Sequence, residues 1–440
     1  MKLKKLTAFI LSALLISGLT ACGSSDKTSG ANSEKAPSQT EASADKTTLR
    51  MAWWGSQARH DATVKVIEMY EAQNPNIDIE YEFYDFDGYF TKLNTLVASN
   101  TVWDIFQLGG NFPTYMDKIV PVGEYVDSGI VDVSNTNDSF LSTTTWEDKL
   151  LGLSNGVNCY GIAYDPQLFA DAGVPEPTEN WTWEDYKNAC LQIHEKLGIY
   201  GSSKLDDFIG GASMGISQED YALNFFASSN DKLGFEDPMM LKDYFAMRQE
   251  LVKAGAYPDP GAIFEIKDIE GDYLVTGDAA MTWVASNQMP TIAAAAGREI
   301  KLATVPRKKA DGPSGSTIQS SQMLCISKDS KVPEEAAKFI NFFINDPEAN
   351  KVLNGERGVP IMSNIRETLE AEADEAKKEM YNFVSLIGSF KTGEINVISP
   401  APKTEIEDQY KLLIEQVIYD EKTPEQAAQE IYDFAKQKFE

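Results

Sequence analysis

The segment Leu49–Tyr84 reads LRMAWWGSQARHDATVKVIEMYEAQNPNIDIEYEFY, a strand, a helix and a second strand in succession. Leu49–Trp54 is an apolar run typical of a buried strand, and apolar residues then recur at helical spacing up to about Gln73. Asn74-Pro75-Asn76 ends that helix. Ile77–Tyr84 alternates strictly between apolar and polar residues, which predicts a half-buried strand.

The same alternation of strands and helices continues along the chain. A helix is predicted from about Gly88 to Ser99, and a short strand at Trp103–Leu108. A second α/β region begins near Tyr160, and the last third is mostly helical, with a capping-box helix start at Thr423. Strands that alternate with helices form parallel sheets, which collect ligands at the carboxyl ends of their strands. The sequence therefore predicts an α/β protein with a helical C-terminal region.

Length and charge limit the kinds of protein that this chain can be. Its 440 residues exceed the size at which a single core usually stops growing, so two domains are expected. The formal net charge is −28. So acidic a surface repels nucleic acid and anionic lipid headgroups, and neither is expected as a partner.

The first 21 residues have the pattern of a secretory signal peptide. Three lysines precede the apolar run Leu6–Leu19, which is too short to span a bilayer. The run leads into Leu19-Thr20-Ala21-Cys22, which resembles the lipobox of bacterial lipoproteins and makes Cys22 the expected site of lipidation. A plain signal peptide with a chance cysteine is the alternative. Residues 22–47 contain no aromatic residue and are expected to form a flexible tether. The expected location is the outer face of the cytoplasmic membrane of a Gram-positive bacterium, with the lipid as the membrane anchor.

Cysteine and histidine content argues against several kinds of site. Cys159, Cys190 and Cys325 are an odd number without metal-ligand spacing, so buried free thiols are expected, with one disulfide as the alternative. The two histidines, His60 and His194, are too few for a His-rich metal site, and a Ser-His-Asp triad is not indicated. No metal, cofactor or catalytic residue is predicted.

The first candidate ligand-binding cluster follows the first strand. Trp53 and Trp54 stand at its end, a glycine follows, and Arg59 and His60 enter the helix. Sugars present flat C–H faces that pack on indole rings, and rims of hydroxyl groups that need oriented polar partners. Either Trp alone could instead pack under the helix, but two structural Trp residues here are less expected.

Further candidates lie where other strands end or where the two regions meet. Tyr84 and Asp85 end the second strand, and Asn111 follows a glycine pair after the third. The remaining candidates are Asn158, Tyr160, Trp283, Ser286 and Asn287. Trp181 and Trp183, by contrast, precede a helix and are expected in the core.

Several short patterns follow one another over nearly the whole chain. They are the Cys22 lipobox, Trp53-Trp54-Gly55, Asn74-Pro75-Asn76-Ile77, Asp104-Ile105, Tyr164-Asp165, Thr182-Trp183, Gly277–Met281, Ala337–Ile340, Gly358-Val359-Pro360 and Thr423-Pro424-Glu425. No single pattern is specific, but their order and spacing resemble those of the family 1 extracellular solute-binding lipoproteins of carbohydrate ABC transporters. One departure is Trp103, where members often have proline.

The resemblance implies a two-lobed fold of the type II periplasmic-binding-protein kind, in which hinge crossings join the lobes. The crossings are expected near Asn155–Asn158, Ser316–Ser321 and Arg357–Ile361. The implied boundaries are a signal peptide at 1–21, a tether at 22–47, lobe 1 at 48–157 and 318–358, and lobe 2 at 158–317 and 359–440. The resemblance also implies a monomer that binds an oligosaccharide between its lobes and delivers it to the transmembrane permease subunits of an ABC importer.

Two alternatives stay open on sequence grounds. A secreted glycoside hydrolase would have a similar aromatic cleft with two working carboxylates, although no local carboxylate pattern stands out. A binding protein for another cargo, such as a polyamine, a peptide or a metal, would also suit an acidic chain. A sugar site needs stacking rings with mixed polar groups, whereas a cation site needs converging carboxylates.

Overall fold

The structure is a computed structural model and describes residues 46–110, 112–216, 225–227, 229–390 and 399–440. The signal peptide, Cys22 and most of the tether therefore lie outside the described residues, as does Asn111. In the ranges just given, no helix combines the length and the apolar character that a membrane crossing needs.

Strands and helices follow the expected α/β order. The strands are β1 Thr47–Trp54, β2 Ile77–Tyr84, β3 Ile105–Leu108, β4 Ile119–Val120, β5 Thr145–Trp146, β6 Lys149–Leu150, β7 Leu153–Tyr164, β8 Met281–Ala285, β9 Lys301–Ala303 and β10 Ile318–Ser327. The helices are α1 Gln57–Gln73, α2 Phe86–Ser99, α3 Gly123–Asp127, α4 Asp138–Leu141, α5 Pro166–Ala172, α6 Trp183–Leu197, α7 Asp207–Gly211, α8 Lys242–Lys253, α9 Pro260–Phe264, α10 Tyr273–Thr276, α11 Met289–Ala296, α12 Pro333–Asn345, α13 Pro347–Leu353, α14 Ser363–Glu370, α15 Glu375–Ser389, α16 Lys403–Ile418 and α17 Pro424–Gln437.

The first β-α-β unit forms as its sequence predicts. The Ser56 hydroxyl accepts the N–H of Arg59 and starts α1, which satisfies one of the donors that a helix start leaves unpaired. β1 and β2 pair in parallel over their full length. β2 departs from a half-buried strand at its end, because Tyr81 and Phe83 are each 41% exposed. Both rings lie at the outer edge of the sheet, since β2 is its terminal strand.

One sheet runs through the molecule in the order β2-β1-β3-β10-β7-β8. β7 pairs with β10 along Leu153–Cys159 and with β8 along Tyr160–Tyr164, so it passes from one lobe into the other. β10 returns antiparallel to it, and Val157 and Val359 exchange backbone hydrogen bonds of 2.8 and 2.9 Å. These three segments are the hinge crossings of the two-lobed fold. The exact lobe boundaries given above remain predictions.

The crossings meet at small residues. The Ser321 hydroxyl lies within hydrogen-bond distance of the carbonyl oxygens of Gly156, at 2.8 Å, and of Arg357. A Cβ at Gly156 would stand 2.7 Å from the Arg357 oxygen, so only glycine allows the two crossings to approach this closely. Gly358 has φ of +115°, a conformation that favours glycine. The hinge is therefore closely packed backbone with little side-chain volume.

Packed cores lie on both faces of the sheet. One core contains Trp53 beside α1 and α12 and continues through the hinge to α11 and α15. A second, on the opposite face of lobe 1, contains Trp54, Tyr89 and Phe106. The third, in lobe 2, contains Trp181 and Trp183, as the sequence predicted. Each large side chain buried in this way stabilises the fold by roughly 1.5–3 kcal/mol.

Other local predictions are confirmed. Cys159, Cys190 and Cys325 are buried free thiols, and burial raises the pKa of each. The predicted helix start at Thr423 is a complete capping box with Gln426. His194 is half-buried in the last turn of α6.

Candidate functional site

The register of the sheet decides which candidate residues share a face. Side chains alternate between faces along a strand, and directly paired residues point the same way. Leu108 of β3 lies on the same face of the sheet as Trp54. Met323 of β10 pairs with Leu108 on one side and with Ser154 of β7 on the other. The even-numbered residues of β7 therefore lie on the same face as Trp54. Asn158 and Tyr160 follow on that face. Trp283 pairs with Ile162 and joins them.

Five of the predicted residues therefore lie along one face of the continuous sheet. They are Trp54, its direct partner Tyr84, Asn158, Tyr160 and Trp283. On the opposite face the core that contains Trp53 continues from one lobe into the other, whereas on this face the cores of the two lobes are separate, so we expect the cleft on this face. We call this surface the cleft floor.

The lobe 1 end of the cleft floor is formed by Trp54. Its ring packs against Tyr89 and Phe90, with centroids 5.1 and 5.2 Å away, and meets Phe86 edge-on at 5.6 Å. The backbone of Gly109 passes beside the indole, because a Cβ there would stand 3.7 Å from the ring. Trp54 is 9% exposed, so only one edge of the ring is open. Phe86 is 56% exposed and extends this aromatic surface outwards.

The lobe 2 end is formed by Tyr160 and Trp283. Their rings stack with centroids 5.7 Å apart and an angle of 28° between the planes. Tyr160 is half-buried, and burial, followed by the charges of Asp206 and Glu407, raises its pKa. Stacked rings of this kind form a rigid apolar platform with two polar groups, the phenol hydroxyl and the indole N–H.

Asp206, which the sequence analysis did not select, lies beside this platform. The N–H of Trp283 donates to the carbonyl of Lys204 at 3.1 Å, which brings the segment leading to Asp206 alongside β8. Asp206 caps α7 through Oδ1, which accepts the N–H of Ile209 at 2.9 Å. Burial raises its pKa. Among the described residues Oδ2 makes no hydrogen bond, so it can accept one from a ligand.

The structure corrects three of the predicted ligand contacts. Trp53 has no exposed surface, because it faces the side of the sheet opposite Trp54. Its indole nitrogen donates to Nδ1 of His60 at 3.1 Å, and His60 is 7% exposed. Ser286 is fully buried, and its hydroxyl accepts the N–H of Cys159 at 3.1 Å. These three residues are packed in the protein interior and do not face a ligand in this conformation.

The other predicted residues differ in exposure, since Asp85 and Asn287 are exposed and Tyr84 and Asn158 are half-buried. Asp85 is exposed and caps α2 by accepting the N–H of Gly88 at 2.7 Å, while Asn287 is exposed in the turn after β8. Tyr84 is half-buried, and burial, together with a hydrogen bond to Glu82, raises its pKa to about 12. Asn158 Oδ1 is buried without a hydrogen-bond partner in the described part of the chain.

Arg59 lies where β1 gives way to α1, beside the third crossing. Its Nη1 donates to the Trp54 carbonyl at 3.3 Å, and its Nε pairs with Glu356 at 2.7 Å. Glu356 directly precedes Arg357, which is 4% exposed. The predicted ligand contact is therefore occupied by an internal carboxylate.

Known proteins resemble this chain along most of its length. A family model described as bacterial extracellular solute-binding protein matches residues 54–350, more than half of the chain. An uncharacterized ABC transporter extracellular-binding protein of Pyrococcus horikoshii is 25% identical over 59% of the chain and 61% of its own length. Escherichia coli YcjN, by name an ABC transporter periplasmic-binding protein, is 23% identical over 65% and 66%. The chain thus spans less than two thirds of the length of these two curated relatives.

Solved structures have the same fold. A family 1 extracellular solute-binding protein from Alicyclobacillus acidocaldarius superposes with a TM-score of 0.79, at 25% identity, over 90% of this chain and 99% of the other. An oligogalacturonide-binding protein of Yersinia enterocolitica superposes with a TM-score of 0.74, at 22% identity, over 89% of this chain and 99% of the other. A cyclic alpha-maltosyl-1,6-maltose binding protein of Arthrobacter globiformis gives 0.69 at 16% identity, over 90% and 99%.

The fold, its three crossings and the matched family model agree. The chain belongs to the family of bacterial extracellular solute-binding proteins.

Proposed function

We propose that this protein captures an oligosaccharide on the cleft floor and delivers it, chemically unaltered, to the permease of an ABC importer. The observation that carries the proposal is the Tyr160–Trp283 stack, which shares one face of the sheet with Trp54. Aromatic faces bind the C–H faces of sugar rings, and the carboxylate of Asp206 and the amide of Asn158 suit hydroxyl groups. Two structural neighbours are by name binders of saccharides, which supports the same class of ligand.

The binding cycle follows from the two lobes. Aromatic residues of the cleft floor belong to both lobes, so a sugar that touches all of them favours a closed arrangement. To shift the ratio of closed to open molecules from 1:99 to 99:1, the ligand must bind the closed state more tightly than the open state by about 5.5 kcal/mol. Apolar faces of the sugar buried against these rings, together with several hydrogen bonds of about 1 kcal/mol each, are the expected source of this difference. The backbone contacts at Ser321 and Gly156 are the expected pivot.

Attachment to the membrane through Cys22 is part of the proposal. A lipid on Cys22 and a tether of residues 22–47 would keep the binding domain close to the permease. Metabolic labelling with a fatty-acid analogue tests this: the wild-type protein should be labelled and recovered with membranes, and Cys22→Ser should lose both properties. Equal labelling of the two proteins would remove Cys22 as the lipid site.

The test of the function itself is calorimetric titration of the purified protein with a panel of neutral and acidic oligosaccharides. We expect saturable 1:1 binding of at least one of them, with the saccharide recovered intact by chromatography. Saturable binding of a polyamine or a peptide in the same assay, with no saccharide bound, would contradict the proposal.

A further inference from the structure

The Arg59–Glu356–Arg357 group has more positive than negative charge. Glu356 Oε2 lies 2.7 Å from Arg59 Nε and 4.0 Å from Arg357 Nη1. Two guanidinium groups therefore share one carboxylate. The group also stands at the first turn of the 17-residue helix α1, where the helix dipole adds partial positive charge.

Arg357 is the under-satisfied member of this group. It is 4% exposed, and its Nη2 donates to the Thr63 hydroxyl at 2.8 Å. Its Nε and Nη1 are buried and have no hydrogen-bond partner in the described residues. Burial, followed by the nearby Arg59 charge, lowers its pKa to about 9. A buried guanidinium normally has its donors paired, since unpaired buried charge is costly.

The position of the group connects it to the cleft. Arg59 Nη1 contacts the carbonyl of Trp54, at the lobe 1 end of the cleft floor. On the other side, a Cβ at Gly358 would stand 3.2 Å from Asn158 Oδ1, so the segment that follows Arg357 touches the middle of the cleft floor. The side chains of Arg59 and Glu356 are 13% and 28% exposed, which leaves both reachable from solvent.

We infer that Glu356 holds the place of a ligand carboxylate, and that this protein binds an acidic saccharide, one that carries a uronate. This inference rests on the proposed function and names its substrate class. The uronate carboxylate pairs with Arg59, and Glu356 turns to the unpaired Nη1 and Nε of Arg357. Two carboxylates then match two guanidinium groups.

The net charge of the chain does not favour binding of an acidic saccharide, so the attraction must come from the Arg59–Glu356–Arg357 group. The chain carries −28, which repels anions at long range. Screening at physiological salt acts over about 8 Å, so a carboxylate in contact with Arg59 interacts mainly with its immediate neighbours. Arginine forms paired hydrogen bonds with a carboxylate, which suits a planar uronate group.

The test compares two probes that differ only at C6, α-1,4-linked digalacturonate with carboxylates and α-1,4-linked galactobiose with hydroxymethyl groups, by calorimetry on the purified protein. We expect digalacturonate to bind at least tenfold more tightly, and its affinity to fall as salt is raised. Glu356→Gln removes the competing carboxylate and should strengthen digalacturonate binding severalfold. Arg59→Gln should abolish the preference. Lys253→Gln, which removes a cation ion-paired with Asp420, is the matched control and should change neither affinity.

The outcomes separate this inference from the proposed function. Equal or tighter binding of galactobiose, or of any neutral saccharide of the panel, would overturn the acidic class and leave saccharide capture standing. Retention of the digalacturonate preference in Arg59→Gln would also overturn it. If no saccharide binds, the proposed function and this inference both fail.

Discussion

The indole N–H of Trp53 points at Nδ1 of His60, with 3.1 Å between the two nitrogens, inside the core of lobe 1. Because an indole nitrogen only donates, Nδ1 must accept, and His60 is the neutral tautomer with its proton on Nε2. Phe83 stacks on the imidazole with centroids 4.2 Å apart. Trp53 and His60 thus form a structural unit on the opposite side of the sheet from the cleft. Of the two neighbouring tryptophans, Trp54 is the one that faces the cleft.

The first prediction concerns pH. Burial, followed by the charges of Arg357 and Arg59, lowers the pKa of His60. Since the folded pKa lies below the unfolded value of about 6.5, the unfolded state takes up the proton first as the pH falls. The stabilising contribution of neutral His60 is present above pH about 6.5 and is lost as the pH falls towards the folded pKa.

Urea unfolding at pH 7.5 and 5.5 measures this effect. His60→Gln should unfold at a lower urea concentration than the wild-type protein at pH 7.5. Its free energy of unfolding should also decrease less between pH 7.5 and pH 5.5 than that of the wild-type protein. An equal decrease in the free energy of unfolding of the two proteins would show that titratable groups other than His60 cause the pH dependence.

The second prediction separates Trp53 from the cleft. Trp53→Ala leaves a large void in a fully buried site, so it should lower the free energy of unfolding by about 3–5 kcal/mol. Ligand affinity of the fraction that remains folded should change less than threefold. A loss of ligand affinity without a decrease in the free energy of unfolding would contradict this assignment and show that Trp53 contacts the ligand.

The third prediction concerns the aromatic platform. Tyr160→Ala removes half of the stacked pair, and we expect saccharide affinity to fall at least tenfold with only a modest loss of stability, because Tyr160 is half-buried. Tyr419→Ala, at a 55% exposed position after α16, is the control and should bind as the wild-type protein does. Unchanged affinity in Tyr160→Ala would exclude the platform.

The sequence predicted the order of the elements, because periodicity and capping are local properties. β2, the end of α1 and the helix start at Thr423 lie where the pattern placed them. The start of β7 was not predicted, since Asn155-Gly156-Val157-Asn158 is not strand-like on its own and the second α/β region was expected to begin only near Tyr160. Its pairing with β10, about 165 residues away along the chain, makes it a strand.

The site was predicted in part for the same reason. Trp53 and Trp54 look equivalent in the sequence, but a strand directs neighbours to opposite faces, and the long-range register decides which face becomes the cleft. Asp206 was missed because a helix-capping aspartate has no local sign of a second role. Glu356 was missed because its contact with Arg59 joins residues nearly 300 positions apart.

The fourth prediction tests Asp206. Asparagine caps helices about as well as aspartate, so Asp206→Asn should keep α7. Because burial raises the pKa of Asp206, ionisation of this group costs more free energy in the folded than in the unfolded state, and the substitution should not lower the free energy of unfolding at pH 7. Saccharide affinity should fall about tenfold through loss of a charged acceptor. Asp237→Asn removes the same charge from an exposed cap and should leave the affinity unchanged.

The fifth prediction concerns the hinge. Gly156→Ala would place a Cβ 2.7 Å from the Arg357 oxygen and 2.8 Å from the Gly358 carbonyl carbon. We expect a loss of about 1–3 kcal/mol in the free energy of unfolding, because the crossings must separate. Gly110→Ala meets no atom within 4 Å and serves as the control. Similar unfolding midpoints for the two variants would argue against close packing of the crossings.

Small-angle X-ray scattering of the purified protein, with and without the tightest-binding oligosaccharide of the panel, tests ligand capture between the lobes most directly. We expect the radius of gyration to decrease on binding in the wild-type protein, and Tyr160→Ala to need a correspondingly higher saccharide concentration for the same decrease. An unchanged radius at saturating saccharide, or binding that Tyr160→Ala leaves intact, would contradict capture on the cleft floor.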